Sequence, residues 1–498
     1  MQPTVTATMT DPIPGRAPAQ AIASRPASIL RDLPVPVLLY IAAVTIPIAF
    51  WVGPLFMTTL RLFLLIMTIP LTVQMLRGRY GRVFATDILF ILYLIWSSLA
   101  IAISNPEQAI QQTGSVGIEF LGGYAVGRAY IRTRESFVAL CRLLILIVLC
   151  LIPFAISEAL TGRPPLIEIL RSLPGITSVQ ILHIDIRLGL ERVQAVFAHP
   201  IHFGLFCSIA FSLCFVALKG IIGDTRRYII SAAIALSGFL ALSSGAILAI
   251  VLQISLILWA AIFNGSKWRW WYLIGLFALG YVVVDVLSNR SPIKVFMSYA
   301  TFSPHNAYWR GLIFEYGMKE VWSNPVFGIG LNDWDRPAFM HTASVDNFWL
   351  VLAMRYGIPA FLFLATGYAL VIARVIWRDF GDDVLMNRLR RAWVFTFLGL
   401  TFTLCTVHIW TNIYSFILFM FGSGVWFISA RPSDPSEPDM ESGAVDPREL
   451  RYHRTISSGG VAAPEPLVLK SLAPERNNRY SRFPVRPRAV APKTDSGP

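Results

Sequence analysis

Two stretches of this chain, about 158–202 and 288–346, concentrate side chains that could do chemistry. Arginine carries a permanent positive charge and a fork of N–H donors, which suits the binding of phosphate and carboxylate groups. Carboxylate and imidazole groups can accept a proton from a reacting hydroxyl. The candidates are Arg187, Arg192 and His199 in the first stretch, and Arg290, Arg310, His341 and Asp346 in the second.

The composition of the chain restricts where such a site could lie. Of its 498 residues, 55% are hydrophobic and only 14% are charged, and the mean hydropathy is +0.59. Soluble domains carry about 25% charged residues, so a soluble enzyme and a disordered scaffold are excluded and a polytopic membrane protein is predicted. The net charge of +13 could suggest nucleic acid, but the basic residues lie mostly between apolar runs. We therefore expect no nucleic-acid partner.

Apolar runs of about 20 residues, the length that crosses a bilayer as a helix, predict an all-α integral membrane protein with about 12 transmembrane helices. With the N-terminus inside, every short inner loop carries Lys or Arg and every short outer loop carries none, in line with the positive-inside rule. Both termini are therefore predicted to be cytoplasmic, with 158–202 and 288–346 as large outer loops. The predicted spans are 35–53, 55–76, 83–103, 110–127, 136–157, 203–221, 228–243, 246–263, 269–287, 347–376, 392–409 and 412–430.

Three regions follow from this division of the chain. Residues 35–430 form the predicted membrane domain, while 1–34 and 431–498 are polar, Pro-rich segments predicted to be disordered cytoplasmic termini, because such compositions bury too little apolar surface. The five cysteines lie in apolar stretches without the spacing of metal ligands, so neither a disulfide framework nor a zinc site is expected.

The second outer loop contains signals for a helix of its own. Ser303-Pro304 favours a helix start, and Asn324-Pro325 favours its end. A helix over about 304–323 is therefore predicted, lying on the membrane surface or capping the bundle. Its predicted apolar side carries Trp309, Leu312, Ile313, Tyr316 and Trp322.

Several short motifs in the two loops resemble the signature of the O-antigen ligase and polymerase family. In the first loop, Arg-Val-Gln-Ala-Val-Phe-Ala-His-Pro at 192–200 is similar to the family's Arg-x-x-Gly-x-Phe-x-x-Pro stretch, with Ala195 where Gly is usual. The second-loop motifs are Tyr-Trp-Arg-Gly at 308–311, Trp-Ser-Asn-Pro-Val-Phe-Gly-Ile-Gly at 322–330, and Asp-Asn-Phe-Trp-Leu at 346–350 leading to Gly357. The Ser-Ser-Gly turn at 243–245 resembles the Ser-Arg-Gly turn of many members. The resemblance covers about residues 35–430.

The resemblance implies a bundle of about a dozen helices with a large periplasmic loop between late spans, in the bacterial inner membrane. It also implies transfer of a glycan from an undecaprenyl-pyrophosphate carrier to an acceptor hydroxyl, without a metal, cofactor or nucleotide sugar. The expected partners are the lipid-linked oligosaccharide donor and acceptor, membrane lipid, and a chain-length-regulating polysaccharide co-polymerase. In the ligase branch a histidine precedes the position of Asn347, whereas this chain has Asp346. That difference resembles polymerase-type members more closely.

The candidate roles follow from this chemistry. Arginine can neutralise the departing pyrophosphate, and Arg192 and Arg310 are the first candidates, with Arg187 and Arg290 behind them. Asp346 is the first candidate for the base and His341 the second, with the alternative that Asp346 only caps the following helix. His199, Asn347 and Arg355 are further substrate-binding candidates. An Asp-x-Asp pattern at 333–335 leaves a metal-dependent nucleotide-sugar site as a less favoured reading.

Three functions remain open from the sequence. The favoured one is an inner-membrane polymerase that joins lipid-linked oligosaccharide repeats at the periplasmic face for exopolysaccharide, capsule or O-antigen. The nearest alternative is a ligase that transfers finished glycan to lipid A core. A transporter or lipid flippase is the alternative from another class, but it would place polar clusters at mid-membrane rather than in the outer loops.

Overall fold

The computed structural model describes residues 28–431, except 54, 185, 290–291, 293–294 and 296–303. The predicted tail at 431–498, apart from its first residue, and most of the predicted N-terminal arm at 1–34 lie outside the described residues. Two short strands, β1 (Ala49–Val52) and β2 (Leu55–Thr58), pair as an antiparallel hairpin. Two π-helical turns, Ile118–Gly122 and Leu213–Ala217, and a 3-10 turn, Val425–Ile428, continue neighbouring helices. The α-helices are α1 (Ile29–Asp32), α2 (Val35–Thr45), α3 (Thr59–Leu76), α4 (Ala85–Ser104), α5 (Pro106–Gly117), α6 (Gly123–Tyr130), α7 (Arg134–Thr161), α8 (Pro165–Ser172), α9 (Pro200–Ser212), α10 (Asp224–Leu240), α11 (Ser244–Ile262), α12 (Arg269–Leu287), α13 (Pro304–Ser323), α14 (Phe348–Trp377), α15 (Val384–Thr403) and α16 (Thr411–Gly422).

The prediction of an all-α membrane protein is confirmed. Within the described ranges, eight helical segments are long and apolar enough to cross a membrane, since about 20 apolar residues at 1.5 Å per residue span the hydrocarbon core. The number of actual crossings, predicted as about 12, stays a prediction. The eight segments are Thr59–Leu76, Ala85–Ser104, Arg134–Thr161, Pro200–Ala217, Ser244–Ile262, Arg269–Leu287, Phe348–Trp377 and Thr411–Ile428.

Two predicted spans end earlier than their apolar runs. The run at 35–53 leaves the helical conformation after Thr45, because Pro47 disfavours a helical residue before it, and residues 49–58 form the hairpin. The run at 392–409 stops at Thr403. There the backbone N–H of Phe348 donates to the carbonyls of Leu404 and Val407 at 2.9 and 3.0 Å. Residues 404–407 therefore bind the first residue of α14 and do not continue α15.

Segments that the charge pattern places on the same side of the membrane contact each other. At the end predicted to be outer, the side chain of Asn105 accepts a hydrogen bond from the backbone of Leu331 at 2.8 Å. At the opposite end, Arg388 donates to the carbonyl of Lys219 at 2.6 Å. These two contacts agree with the sides predicted for the four segments involved, and the full topology stays a prediction.

The helix predicted within the second loop is present as α13, Pro304–Ser323, and its predicted bounds are confirmed. Ile313 is buried in a small cluster with residues of α14, and Trp309 and Tyr316 pack against that cluster. Trp322 departs from the prediction, because its side chain is 68% exposed. The apolar side of α13 thus rests on the start of α14.

The long helix α14 is broken at Gly357, where φ is 79° and ψ is 173°. The following Pro359 has no N–H group, and the N–H of Ile358 donates to the carbonyl of Pro325 at 2.8 Å instead of to its own helix. The carbonyl of Met354 is thereby available, and it accepts from Ile329 at 2.8 Å. The break in α14 and the turn after α13 therefore hold each other in place.

A side chain at Gly357 should disrupt this contact between α14 and the turn after α13. A Cβ there would collide with the carbonyl oxygen of Val326, and the backbone conformation is one that essentially only glycine adopts. We expect Gly357→Ala to lower the free energy of unfolding by about 1–3 kcal/mol, measured as a lower apparent unfolding temperature of the purified protein. Gly275→Ala is the matched control, because its Cβ meets open space within α12. Equal unfolding temperatures for the two variants would contradict this account.

Candidate functional site

A cavity of about 540 Å³ opens where the two predicted outer loops meet the ends of the helices. This volume lies in the range of small-molecule binding pockets, which is about 300–1,000 Å³. Apolar walls come from the turn after α13 and from α14, and polar groups converge from four separate chain segments. The polar and aromatic lining residues are His199, Asn332, Asp333, Trp334, Ser344, Asp346, Arg355, His408 and Trp410.

Near this cavity, arginine side chains contact the carboxyl end of α10. The last carbonyls of a helix lack intrahelical partners and form the negative end of the helix dipole. Arg187 donates from Nη1 to the carbonyl of Leu242 at 2.9 Å, and Nε of Arg192 lies 3.5 Å from the carbonyl of Ala241. The backbone N–H of Val193 donates to Leu240 at 3.1 Å. The first loop is thus docked on the end of α10 with two guanidinium groups.

Arg310 of α13 reaches the same place from the second loop. Its Nη2 lies 3.4 Å from the hydroxyl of Ser244, the first residue of α11. Its Nη1 is buried and has no hydrogen-bond partner among the described residues. Burial lowers the pKa of Arg310 and the neighbouring Arg187 adds to this effect, whereas Asp346 opposes it. We call Arg187, Arg192 and Arg310 the arginine cluster.

The segment that carries Arg192 and His199 is fixed by a buried carboxylate. Glu158 near the end of α7 accepts from the backbone N–H groups of Gln194 and Ala195 at 2.8 and 2.9 Å. Ala195 has a φ of 54°, a left-handed conformation that glycine adopts more easily. The glycine usual at this position in the resembled motif therefore has a structural reason, and here the two bonds to Glu158 hold the alanine in the same conformation.

His199 caps α9, lines the cavity and lies close enough to Arg192 and Arg187 for their charges to act on it. Its Nδ1 accepts from the backbone N–H of Ile201 at 3.1 Å, so the proton of the neutral ring is on Nε2. Burial lowers the pKa of His199 to about 4, and the charges of Arg192 and Arg187 lower it further in the same direction. At neutral pH this side chain is a neutral hydrogen-bond donor.

Two lining residues, His408 and Trp410, were missed by the sequence interpretation. They were assigned to the apolar run 392–409 and its exit, but they lie in the connection between α15 and α16. Burial lowers the pKa of His408 to about 4, with a further contribution from Arg355. The only local signal was polar residues interrupting two apolar runs at 406–412. Arg355, predicted to bind substrate, lines the same cavity.

The structure separates the two candidates for the base. Asp346 is half-buried and lines the cavity, with the hydroxyl of Ser344 3.3 Å from its Oδ1. His341 is exposed in the loop before it and is not among the cavity-lining residues. Arg290, a predicted pyrophosphate ligand, lies outside the described residues.

The alternative in which Asp346 only caps a helix is not what the structure shows. The N-cap of α14 is Asn347, whose side-chain oxygen accepts from the N–H of Leu350 at 3.1 Å. The oxygen of Asn347, predicted to bind substrate, is therefore used by the helix, and the carboxylate of Asp346 faces the cavity without that task.

Asp333, the first residue of the Asp-x-Asp pattern, forms an ion pair with Arg336. This bond lowers the pKa of the Asp333 carboxyl. The backbone N–H of Asp335 donates to Glu320 at 3.0 Å. Both ends of the pattern are thus tied to neighbouring side chains of their own loop.

Residues 229–365 match the family model described as O-antigen ligase. The match runs from α10 to the middle of α14 and contains Ser244, Arg310, Asp346 and Arg355. No curated protein matches the chain. Members of the matched family are membrane glycosyltransferase-like enzymes, either ligases or polymerases. Residues 229–365 therefore resemble an O-antigen ligase domain, and this match supports the resemblance of the chain to the O-antigen ligase and polymerase superfamily.

Proposed function

We propose that this protein polymerises undecaprenyl-pyrophosphate-linked oligosaccharide repeats at the periplasmic face of the bacterial inner membrane, for exopolysaccharide, capsule or O-antigen synthesis. The observation that carries the proposal is Nη1 of Arg310, which is buried near Arg187 and Asp346 and has no hydrogen-bond partner in the part of the chain that the structure describes. A guanidinium N–H that is out of water and unpaired is costly, and a phosphate oxygen would satisfy it. The family match favours an enzyme over a transporter or flippase.

The arginine cluster suits the departure of the carrier lipid. When the glycosidic bond to the carrier breaks, the bond electrons leave with the pyrophosphate oxygen, and the new negative charge must be stabilised. Fixed guanidinium groups held by α10 and Ser244 need little reorganisation at that moment, which makes electrostatic stabilisation effective. In this proposal arginine charge takes the place that a divalent cation has in nucleotide-sugar enzymes.

Asp346 is the proposed base for the acceptor. Its carboxylate takes the proton of an acceptor sugar hydroxyl, the hydroxyl oxygen bonds to the anomeric carbon of the donor, and undecaprenyl pyrophosphate leaves. A single displacement of this kind inverts the anomeric configuration. His199 contributes a neutral Nε2–H donor beside the arginines, which can bind glycan or pyrophosphate oxygens without adding charge.

A ligase is the second candidate, favoured by the match to the O-antigen ligase family model. Against it stands Asp346 in the position where the resembled ligases carry histidine. Glycan analysis of a deletion strain separates the two functions. Loss of a polymerase leaves single-repeat glycans, whereas loss of a ligase leaves full-length chains on the carrier lipid; the second result would overturn the polymerase proposal.

Replacement of Arg310 by lysine should abolish most polymer formation. Lysine keeps the charge but loses the fork of donors that reaches Ser244 and the ligand together. We expect the rate of polymer formation in membranes to fall roughly 100-fold, at unchanged protein level. Lys319→Ala, on the exposed side of the same helix, is the matched control and should leave the polymer unchanged. Wild-type chain lengths in Arg310→Lys would remove the pyrophosphate role.

The base can be tested without disturbing the helix cap. Asp346→Asn keeps the shape of the side chain but cannot accept the proton, so polymer formation should fall by roughly 100-fold or more. Asn347→Asp retains a good N-cap residue and serves as the control, with activity within about threefold of wild type. If Asp346→Asn polymerises normally, the base lies elsewhere.

The low pKa values of His199 and His408 predict acid sensitivity. Well above the ordinary histidine pKa of about 6.5, both rings are neutral in the folded and unfolded states. As the pH falls from there towards 4, the unfolded chain binds protons that the folded protein, with both pKa values at about 4, does not. The free energy of unfolding therefore decreases with falling pH.

Thermal unfolding of the purified protein between about pH 7.5 and about pH 5 measures this effect. We expect His199→Gln to flatten the pH dependence, and His341→Gln, which changes an exposed side chain, to leave it as in wild type. The same slope in wild type and His199→Gln would show that His199 does not cause it.

A further inference from the structure

Trp410 is a large aromatic side chain exposed within an otherwise polar corner of the cavity. It lines the cavity beside His199 and His408, and 37% of its surface is accessible. It lies at the N-cap of α16, outside the residues matched by the family model. None of the roles assigned above to arginine, carboxylate or imidazole uses it.

The indole ring is held rigidly from behind. The buried His202 ring packs edge-on against it, with ring centroids 4.2 Å apart and an interplanar angle of 67°. The ring of His408 lies nearly parallel to it at 5.9 Å and 21°. Within the described part of the chain, neither ring nitrogen of His202 has a hydrogen-bond partner. His202 therefore serves as a packing surface that fixes the indole.

The backbone next to Trp410 is strained. Thr411 has a φ of 53°, which is unfavourable for a β-branched residue and costs on the order of 1–3 kcal/mol. The adjacent Asn412 fastens the start of α16 by donating from Nδ2 to the carbonyl of Val44 at 3.1 Å. Strain of this kind persists where surrounding structure imposes it, often at binding sites. Here it coincides with the residue that exposes an aromatic ring to the cavity.

The chemistry of the corner selects a sugar ring over other parts of the substrate. An aromatic face carries negative charge density, so it attracts the slightly positive C–H groups on one face of a pyranose and offers nothing to a pyrophosphate. The neighbouring His199 Nε2–H and the carboxylate of Asp346 can bind sugar hydroxyls. An apolar wall with a few placed polar groups is typical of small-molecule pockets.

We propose that Trp410 is the platform on which a pyranose ring of the lipid-linked glycan stacks, so that it binds the sugar while the arginine cluster binds the pyrophosphate. This inference rests on the proposed function. A prenyl chain of the carrier could also pack on an indole, and the experiment below separates the two occupants.

The test compares two ligands on the full-length protein in lipid nanodiscs. One is the undecaprenyl-pyrophosphate-linked oligosaccharide extracted from a strain that lacks this protein, and the other is undecaprenyl pyrophosphate without sugar. We expect Trp410→Ala to weaken binding of the glycan-bearing lipid roughly tenfold and to leave binding of the sugar-free lipid unchanged. Trp410→Phe, which keeps an aromatic face, should lose no more than about threefold.

Trp377→Ala is the matched control, because Trp377 is 77% exposed at the far end of α14 and is not among the cavity-lining residues. Retained binding of the sugar-free lipid shows that Trp410→Ala is folded. An equal loss for both lipids would mean that the prenyl chain occupies the indole, and no loss for either would mean that nothing stacks there; each result overturns the inference. Failure of the wild-type protein to bind either lipid would overturn the proposed function itself. Arg310→Ala tests that function separately, because this variant is expected to lose binding of both lipids.

Discussion

The attraction between the carboxyl end of α10 and the arginines of the first loop is the interaction on which the site depends. Guanidinium groups repel one another, and three of them would not gather beside an apolar bundle without compensation. The carbonyls of Ala241 and Leu242, which directly follow the last turn of α10, supply it, because the negative end of a helix dipole stabilises nearby cations by about 0.3–2 kcal/mol each. Arg310 then joins through Ser244 and the charge of Asp346. The result is a fixed positive site in which Nη1 of Arg310, without a hydrogen-bond partner among the described residues, can donate to a ligand.

A second constraint shapes the part of the cavity wall that comes from α14 and the turn after α13. Because α14 breaks at Gly357, its carbonyls at Met354 and Arg355 accept from Ile329 and Gly330 in the turn after α13. Gly328 has a φ of 67°, and a Cβ there would collide with the carbonyl of Met354. The spacing of Asn347 and Gly357 in the sequence therefore has a structural reason, because Asn347 caps α14 and Gly357 breaks it. Arg355, which lies between them, lines the cavity.

Much of the architecture could be predicted from local patterns. Pro304 and Asn324-Pro325 predict α13 because proline acts on the backbone of its immediate neighbours, and the apolar runs predict a helical membrane protein because bilayer thickness sets their length. The arginines could be proposed from residue type and from a family resemblance that the O-antigen ligase match supports.

The features of the site that the sequence did not predict depend on contacts between distant segments. The connection that carries His408 and Trp410 looks like part of an apolar helix, and it is released from helical conformation where the N–H of Phe348 donates to Leu404 and Val407. Neither sequence segment alone contains that information. The sequence left open whether Asp346 is the base or only the cap of α14, because Asp and Asn cap helices equally well. The cap is Asn347, which leaves the Asp346 carboxylate available for chemistry.

The most direct measurement of the central claim is an experimental structure of the protein with undecaprenyl pyrophosphate bound. The account predicts that the pyrophosphate lies within the arginine cluster, with one of its oxygens accepting from Nη1 of Arg310. A pyrophosphate bound at the basic loops of the opposite end, with the arginine cluster unchanged, would contradict it.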